Sequence, residues 1–165
     1  MSRMIQLKQY ATLVRKPSAW QFVVNDLPVI VLCIVSLVVA GMDDNPFGSL
    51  LFWVALTISI CLVYRFLYLK RTIFQITSEQ IIYEHGVFHR TRDYIELYRV
   101  VDYREDSNFV QQLFGIKTVK VFSGDRTTPC LNMMGMDRTD DLIPTLRERV
   151  TYNRMRNGVY EITNR

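Results

Sequence analysis

The sequence predicts a membrane-anchored chain of mixed α and β structure. A two-helix transmembrane hairpin leads into a small domain of mainly antiparallel strands, closed by one C-terminal helix. Three observations predict it. Residues 45–64 contain no charged side chain and end against Arg65, Lys70 and Arg71. A second apolar run, residues 27–42, lies just upstream, separated from the first only by the polar turn around Asp43, Asp44 and Pro46. Beyond residue 72, short runs rich in β-branched and aromatic residues give way after Met136 to helical spacing.

The 20 uncharged residues of the later run make roughly 30 Å of helix at about 1.5 Å per residue, the thickness of a bilayer's hydrocarbon core. The earlier run has 16, roughly 24 Å at the same rise, so its helix must borrow Phe22, Val23 and Val24 across Asn25 and Asp26. Asp26 then falls near the headgroup boundary, where an ionised carboxylate costs far less than at the midplane. An interfacial residue is its ordinary role; a polar contact that orders an oligomer is the sharper one. Basic residues, an apolar run and Val38-Val39-Ala40 also fit a cleaved leader. The long segment ahead of the run, with Asn25, Asp26 and Pro28 at its start, favours a retained span.

Charge orients the hairpin. Arg3, Lys8, Arg15 and Lys16 precede it and Arg65, Lys70 and Arg71 follow it, whereas the turn carries Asp43 and Asp44. The positive-inside rule therefore places both ends of the hairpin on the cytoplasmic side and the turn on the other. Residues 72–165 hold 13 Lys plus Arg and 13 Asp plus Glu, so the net charge of +4 belongs to the membrane part. It is a topology signal. A nucleic-acid-binding domain would carry its own basic excess, so no nucleic-acid partner is expected, whereas membrane lipid is. Ahead of the spans, Met4, Leu7, Ala11 and Val14 recur at helical spacing, which fits a short interfacial helix or a disordered segment over residues 1–21, with Trp20 marking the interface. The hairpin itself takes residues 22–71.

In the domain, residues 72–76, 80–85, 87–94, 95–104, 118–123 and 129–134 read as strands, with Gly86 supplying a turn. Asp137 is a candidate helix cap. Leu142, Ile143, Leu146 and Val150 form an apolar stripe behind it, with Pro144 early enough to be tolerated and Arg147, Arg149 and Arg154 toward the C-terminal end. The domain spans residues 72–156, and 157–165 form a tail.

No catalytic or metal-binding constellation stands out. His85 and His89 flank a turn rather than share a helix face, and Cys33, Cys61 and Cys130 read as small apolar residues in a reducing compartment. Neither an enzyme nor a cofactor is expected. Two surfaces are candidates for binding. His89, Arg90 and Arg92, together with Lys70 and Arg71, offer cations to lipid headgroups or an acidic ligand. Phe109, Leu113 and Phe114 either pack into the core, which their spacing on one helical turn favours, or form a protein-contact patch. A third candidate is an unpaired strand edge.

The hairpin, the strand end Ile76-Thr77, the turn Gly86-Val87-Phe88, the segment from Ile95 to Asp102, Leu113-Phe114-Gly115 and a closing helix, in that order, resemble the bacterial pleckstrin-homology family of membrane proteins. The resemblance covers residues 22–154. Glu96 stands where the family's strand is expected to hold proline. It implies a pleckstrin-homology-like β barrel of two packed antiparallel sheets capped by the C-terminal helix. Phosphoinositide recognition does not follow, because the loop Thr77-Ser78-Glu79 has no Lys/Arg cluster. With the bacterial family that the resemblance implies, the functional expectation is a non-enzymatic, multi-pass scaffold of the bacterial inner membrane that recruits protein partners, with self-association as a homo-oligomer among them. The alternatives are a sensor of anionic lipid headgroups and an accessory subunit of a transport or secretion complex.

Overall fold

The computed structural model describes residues 10–42 and 45–158. In chain order the elements are β1 (Leu13–Arg15), α1 (Trp20–Ala40), α2 (Gly48–Arg71), β2 (Ile73–Ile76), β3 (Gln80–His85), β4 (Thr91–Glu96), a 3-10 turn (Leu97–Arg99), β5 (Val100–Asp106), α3 (Phe109–Leu113), β6 (Ile116–Ser123), β7 (Cys130–Asp137) and α4 (Leu142–Arg156).

Both long helices have the length and composition to cross a membrane. Neither is a core helix of the domain, for Leu32, Ile34, Val38, Trp53, Ile60 and Val63 all stand more than half exposed along them. A contiguous apolar surface of that extent calls for lipid. The helices meet along a seam of small residues. Ala55 is fully buried, Cys33 and Ser36 nearly so, and the Cys33 sulfur lies 3.2 Å from Ser59 Oγ. Small side chains let backbones approach where no hydrophobic effect drives association. Asn45 closes the turn by donating through Nδ2 to the Val39 carbonyl at 2.8 Å. Cys61 is exposed on α2.

The domain comprises two antiparallel sheets, ordered β1-β2-β3-β4 and β5-β6-β7. Phe74, Ile76, Ile81, Ile95, Val119, Val121 and Met133 fill the space between them. Leu142, Leu146 and Val150 of α4 complete this core, with Ile143 half-buried beside it, as the stripe predicts. The sheets do not close into a barrel: among the described residues no ladder joins β4 to β5 or β1 to β7. The expected strand over 95–104 breaks at the 3-10 turn, which carries the chain around the corner from one sheet to the other. Register irregularities between Val100 and Asp102 and between Lys117 and Val119 mark the second sheet, and such bulges bend and twist strands.

Three boundaries differ from the sequence reading. The strand expected from residue 87 begins at Thr91, because residues 86–90 form the hairpin loop. Asp137 ends β7 and accepts hydrogen bonds from the Thr139 N–H and Oγ1, so the helix starts at Leu142 with Asp141 at its cap position. Of the expected N-terminal helix, Met4 and Leu7 lie outside the described residues, and Leu13–Arg15 form a strand. That strand pairs with β2 in the register Leu13↔Ile76, Val14↔Gln75 and Arg15↔Phe74. The segments that enter and leave the helical hairpin are thus hydrogen-bonded to each other.

Arg149, 3% exposed, fastens both segments. Its Nη1 donates to the carbonyls of Ile76 and Thr77 at 2.9 Å each, and Nη2 donates to Ala11 at 2.8 Å. The guanidinium also lies 5.1 Å from the Tyr10 ring centre. Burial draws its pKa below the ordinary arginine value, and the neighbouring Tyr10 and Glu148 oppose that shift. Arg15, in β1, forks onto the Asp140 carboxylate ahead of α4.

Replacing Arg149 with Met leaves three carbonyls without their donor, and an orphaned buried acceptor costs about 1–3 kcal/mol. The expected outcome is a loss of about 2–4 kcal/mol in denaturant unfolding of the detergent-solubilised chain, together with faster amide exchange across residues 13–15.

Candidate functional site

The membrane helices and the domain meet in a polar and aromatic junction. Asp26, 2% exposed, forms an ion pair with Arg65 across the two helices. Phe22 and Phe66 meet edge to face just below, with ring centres 5.3 Å apart. The start of α1 is moored to the second sheet by main-chain and side-chain bonds. Ser18 N–H donates to the Gly135 carbonyl at 2.8 Å, and Gln111 Nε2 donates to both Gln21 Oε1 and Thr118 Oγ1 at 2.9 Å. Gly135 adopts φ +70°, and a Cβ there would sit 2.8 Å from Gln21 Cβ, so the close approach of strand to helix requires glycine.

At the end of α2, Thr72 Oγ1 donates to the Tyr68 carbonyl at 3.0 Å, and the chain turns directly into β2. Aromatic rings then line the inner wall. Phe74 stacks on Tyr83 at 5.0 Å, Tyr83 on His85 at 4.4 Å, and Tyr68 approaches His85 at 6.1 Å. Burial pushes the Tyr83 hydroxyl up to about 12, with the nearby Tyr68 adding to the shift. Between the helix ends and both sheets lies a cavity of about 320 Å³, lined among others by Asp26, Tyr64, Arg65, Tyr68, Tyr83 of β3 and Met134 of β7. That volume is at the small end of the range for ligand pockets. The pocket has one fixed ion pair and mostly apolar walls, a lining suited to a small amphipathic molecule.

The basic group expected on the hairpin is partly spoken for. Glu84, 5% exposed, accepts from Arg92 Nε at 3.1 Å and Arg90 Nη1 at 3.4 Å. Arg92 lies directly opposite Glu84 in the β3–β4 register, so the pair is a cross-strand ion pair. Sequence reasoning missed Glu84 because its partnership follows from register, which only the position of the turn fixes. His89 is exposed at the hairpin end. Lys70 lies over the Phe66 ring at 5.7 Å, and Lys70 and Arg71 occupy the last turn of α2, where cations suit the helix dipole.

The aromatic run behaves differently from its favoured reading. Phe109 is 81% and Leu113 73% exposed, four residues apart on one face of α3, and neither packs into the core. Gln111 is the buried member of that helix, held by a capping box with Asn108 and by its bonds to Gln21 and Thr118. Only Phe114 is partly covered, stacked on Trp20 at 4.5 Å and 12°. The outward pair forms an exposed apolar patch beside the start of α1.

Among the described residues no group of His, Cys, Asp or Glu is arranged to hold a metal ion. His85 Nδ1 lies 3.8 Å from Asp93, and its ring is engaged in the aromatic stack.

The bacterial PH domain family matches residues 22–150, which takes in both long helices and nearly all of the domain. No curated protein and no solved structure gave a match.

Two outcomes follow from the junction. In a double-mutant cycle on Asp26→Asn and Arg65→Gln, thermal unfolding in detergent should return a coupling of about 1–3 kcal/mol; additive losses would mean that the pair is incidental. The raised Tyr83 pKa carries a pH dependence with a definite sign. The folded state holds its proton above the unfolded value of 10.0, so this contribution is complete below pH 10 and is lost as pH rises toward about 12. Tyr83→Phe should flatten that part of the alkaline stability curve.

Proposed function

The chain belongs to the bacterial PH domain family, and from that premise we propose that it is a non-enzymatic scaffold of the bacterial inner membrane. Its two helices cross the bilayer with both ends on the cytoplasmic side, and the domain they carry recruits protein partners, further copies of this chain included. The orientation rests on Arg15, Lys16, Arg65, Lys70 and Arg71 at one end of the hairpin against Asp43 and Asp44 at the other.

One observation carries the recruiting role: the sheets are open. β4 pairs only with β3 and β5 only with β6 among the described residues, so each has a side free of strand partners. Such edges accept a partner strand through main-chain hydrogen bonds, with alternate side chains setting specificity. Tyr94 on β4 and Val101 on β5 are 49% and 64% exposed and would supply that specificity. Phe109, Leu113 and Phe114 add an apolar contact beside α1. Because the domain is pinned at both ends of the hairpin, its edges stand at a fixed height and orientation over the membrane. Neighbours confined to two dimensions meet them in a restricted geometry.

The cavity of about 320 Å³ favours a second reading, a sensor of lipid headgroups, with Arg65 facing an anionic group at the membrane surface. The commitment of Arg90 and Arg92 to Glu84 weighs against it, because the hairpin's cations are half neutralised within the fold.

A photo-reactive phenylalanine analogue at Tyr94 of the full-length chain in its native membrane tests the scaffold. Discrete cross-linked products, to a second copy or to one reproducible protein, are expected from Tyr94, and none from Met155, which is 63% exposed on α4. Equal labelling from both sites, or none from either, contradicts the scaffold reading. Binding that instead follows anionic lipid content and falls with salt favours the sensor.

A further inference from the structure

We infer that the tip of the β3–β4 hairpin, Val87-Phe88, is a wedge inserted in the lipid interface beside α2, covered by phospholipid of the bilayer that the two helices cross. The inference rests on the membrane-spanning reading of α1 and α2.

The path of the chain takes the tip there. β2 leads directly from the end of α2 and β3 returns antiparallel to it, with Ile73 opposite Glu84. That register brings His85 level with Thr72, where α2 ends. Whatever follows His85 must therefore run alongside the helix, back toward the membrane. The ring contacts trace this climb: Tyr68 meets His85 at 6.1 Å, and one helical turn further along, Tyr64 meets Phe88 at 6.2 Å with the rings 16° from parallel.

Depth follows from the helix. Tyr64 ends the uncharged stretch of α2, and Arg65, ion-paired with Asp26, begins the charged part. Tyr64 lies seven residues before Arg71, roughly 10 Å along the axis at 1.5 Å per residue. Phe88 is thus held at the level where the anchor's surface changes from charged to apolar. Yet its side chain is 92% exposed, more than any other large hydrophobic among the described residues. An aromatic ring at that depth, with His89 and Arg90 next along the chain as it turns back, matches the boundary between acyl chains and headgroups.

The loop is built to hold this shape. Gly86 has φ +110°, and a Cβ there would lie 1.8 Å from the His89 carbonyl oxygen, so the turn admits only glycine. Glu84, gripped by Arg90 and Arg92, ties the two strands together at the base.

The test is collision accessibility of a nitroxide label on the full-length chain in liposomes of phosphatidylethanolamine and phosphatidylglycerol. Cys33, Cys61 and Cys130 are replaced by alanine, and single labels are placed through Phe88→Cys and, separately, Val87→Cys. Thr127→Cys in the β6–β7 loop and Met155→Cys on α4, both at exposed sites, serve as water references, and Ile60→Cys, at a site 65% exposed on α2, as the lipid reference. The expected result is a ratio of oxygen to nickel-chelate collisions at 87 and 88 several-fold above those at 127 and 155, approaching that at 60. Ratios at 87 and 88 equal to the water references, with 60 in lipid, overturn the wedge and leave the spanning helices standing. Low collision with both reagents at 88 assigns the tip to a protein contact and overturns lipid insertion. A water-like ratio at 60 overturns the spanning reading and the wedge with it.

Discussion

The pairing of Leu13–Arg15 with Phe74–Ile76 is the constraint on which the rest of the architecture depends. These strands are adjacent in one sheet yet separated in sequence by the whole helical hairpin. The membrane anchor is therefore an insertion between two neighbouring strands rather than a tether on one end of a domain. A single linker would let the domain swing. Two linkers, hydrogen-bonded to each other and capped by Arg149 on the carbonyls of Ala11, Ile76 and Thr77, remove that freedom.

Several contacts otherwise hard to account for follow from this geometry. Once both strands are fixed, the ends of α1 and α2 are brought side by side, and Asp26 and Arg65 meet as a buried carboxylate and its counter-charge. An ion pair at the edge of the apolar zone costs less than one at the midplane and more than one in water, so it is worth keeping only where geometry brings both groups together. The same fixation brings the start of α1 onto β7, where glycine at 135 allows the contact and Gln21 joins Gln111. The price is a buried arginine and a chain of buried amides, each of which must find its partner. In return the open edges of β4 and β5 are held in one orientation relative to the two long helices.

Much of this was legible in the sequence where the signal is local. The uncharged stretches and their basic flanks gave both long apolar helices, runs rich in β-branched and aromatic residues gave β2, β3 and most of β6 and β7, and Leu142, Leu146 and Val150 gave the buried face of α4. The misses share a different character. β1 is three residues long and becomes a strand only through a partner some sixty positions away, which no local pattern encodes. Three aspartates stand near the start of α4, and helical spacing does not say which one is at the cap. Phe109 and Leu113 point outward because Gln111 takes the inward position, held by Asn108, Gln21 and Thr118. An apolar spacing of four names a face without saying which way it looks. Family resemblance carried the order of elements and two packed sheets, but the closure of those sheets is a matter of hydrogen-bond register, and they remain open.

A disulfide across the two linkers tests the central claim most directly. Val14 and Gln75 are register partners, so their Cα atoms are expected at about 4.5–5.5 Å, within the reach of a disulfide. In a chain whose native cysteines are replaced, Val14→Cys with Gln75→Cys should oxidise readily in intact membranes. It should do so as completely as Lys120→Cys with Asn132→Cys, partners in the β6–β7 ladder. Efficient closure of the second pair without the first would show that the strands entering and leaving the anchor are not paired, and the fixed domain would give way to a tethered one.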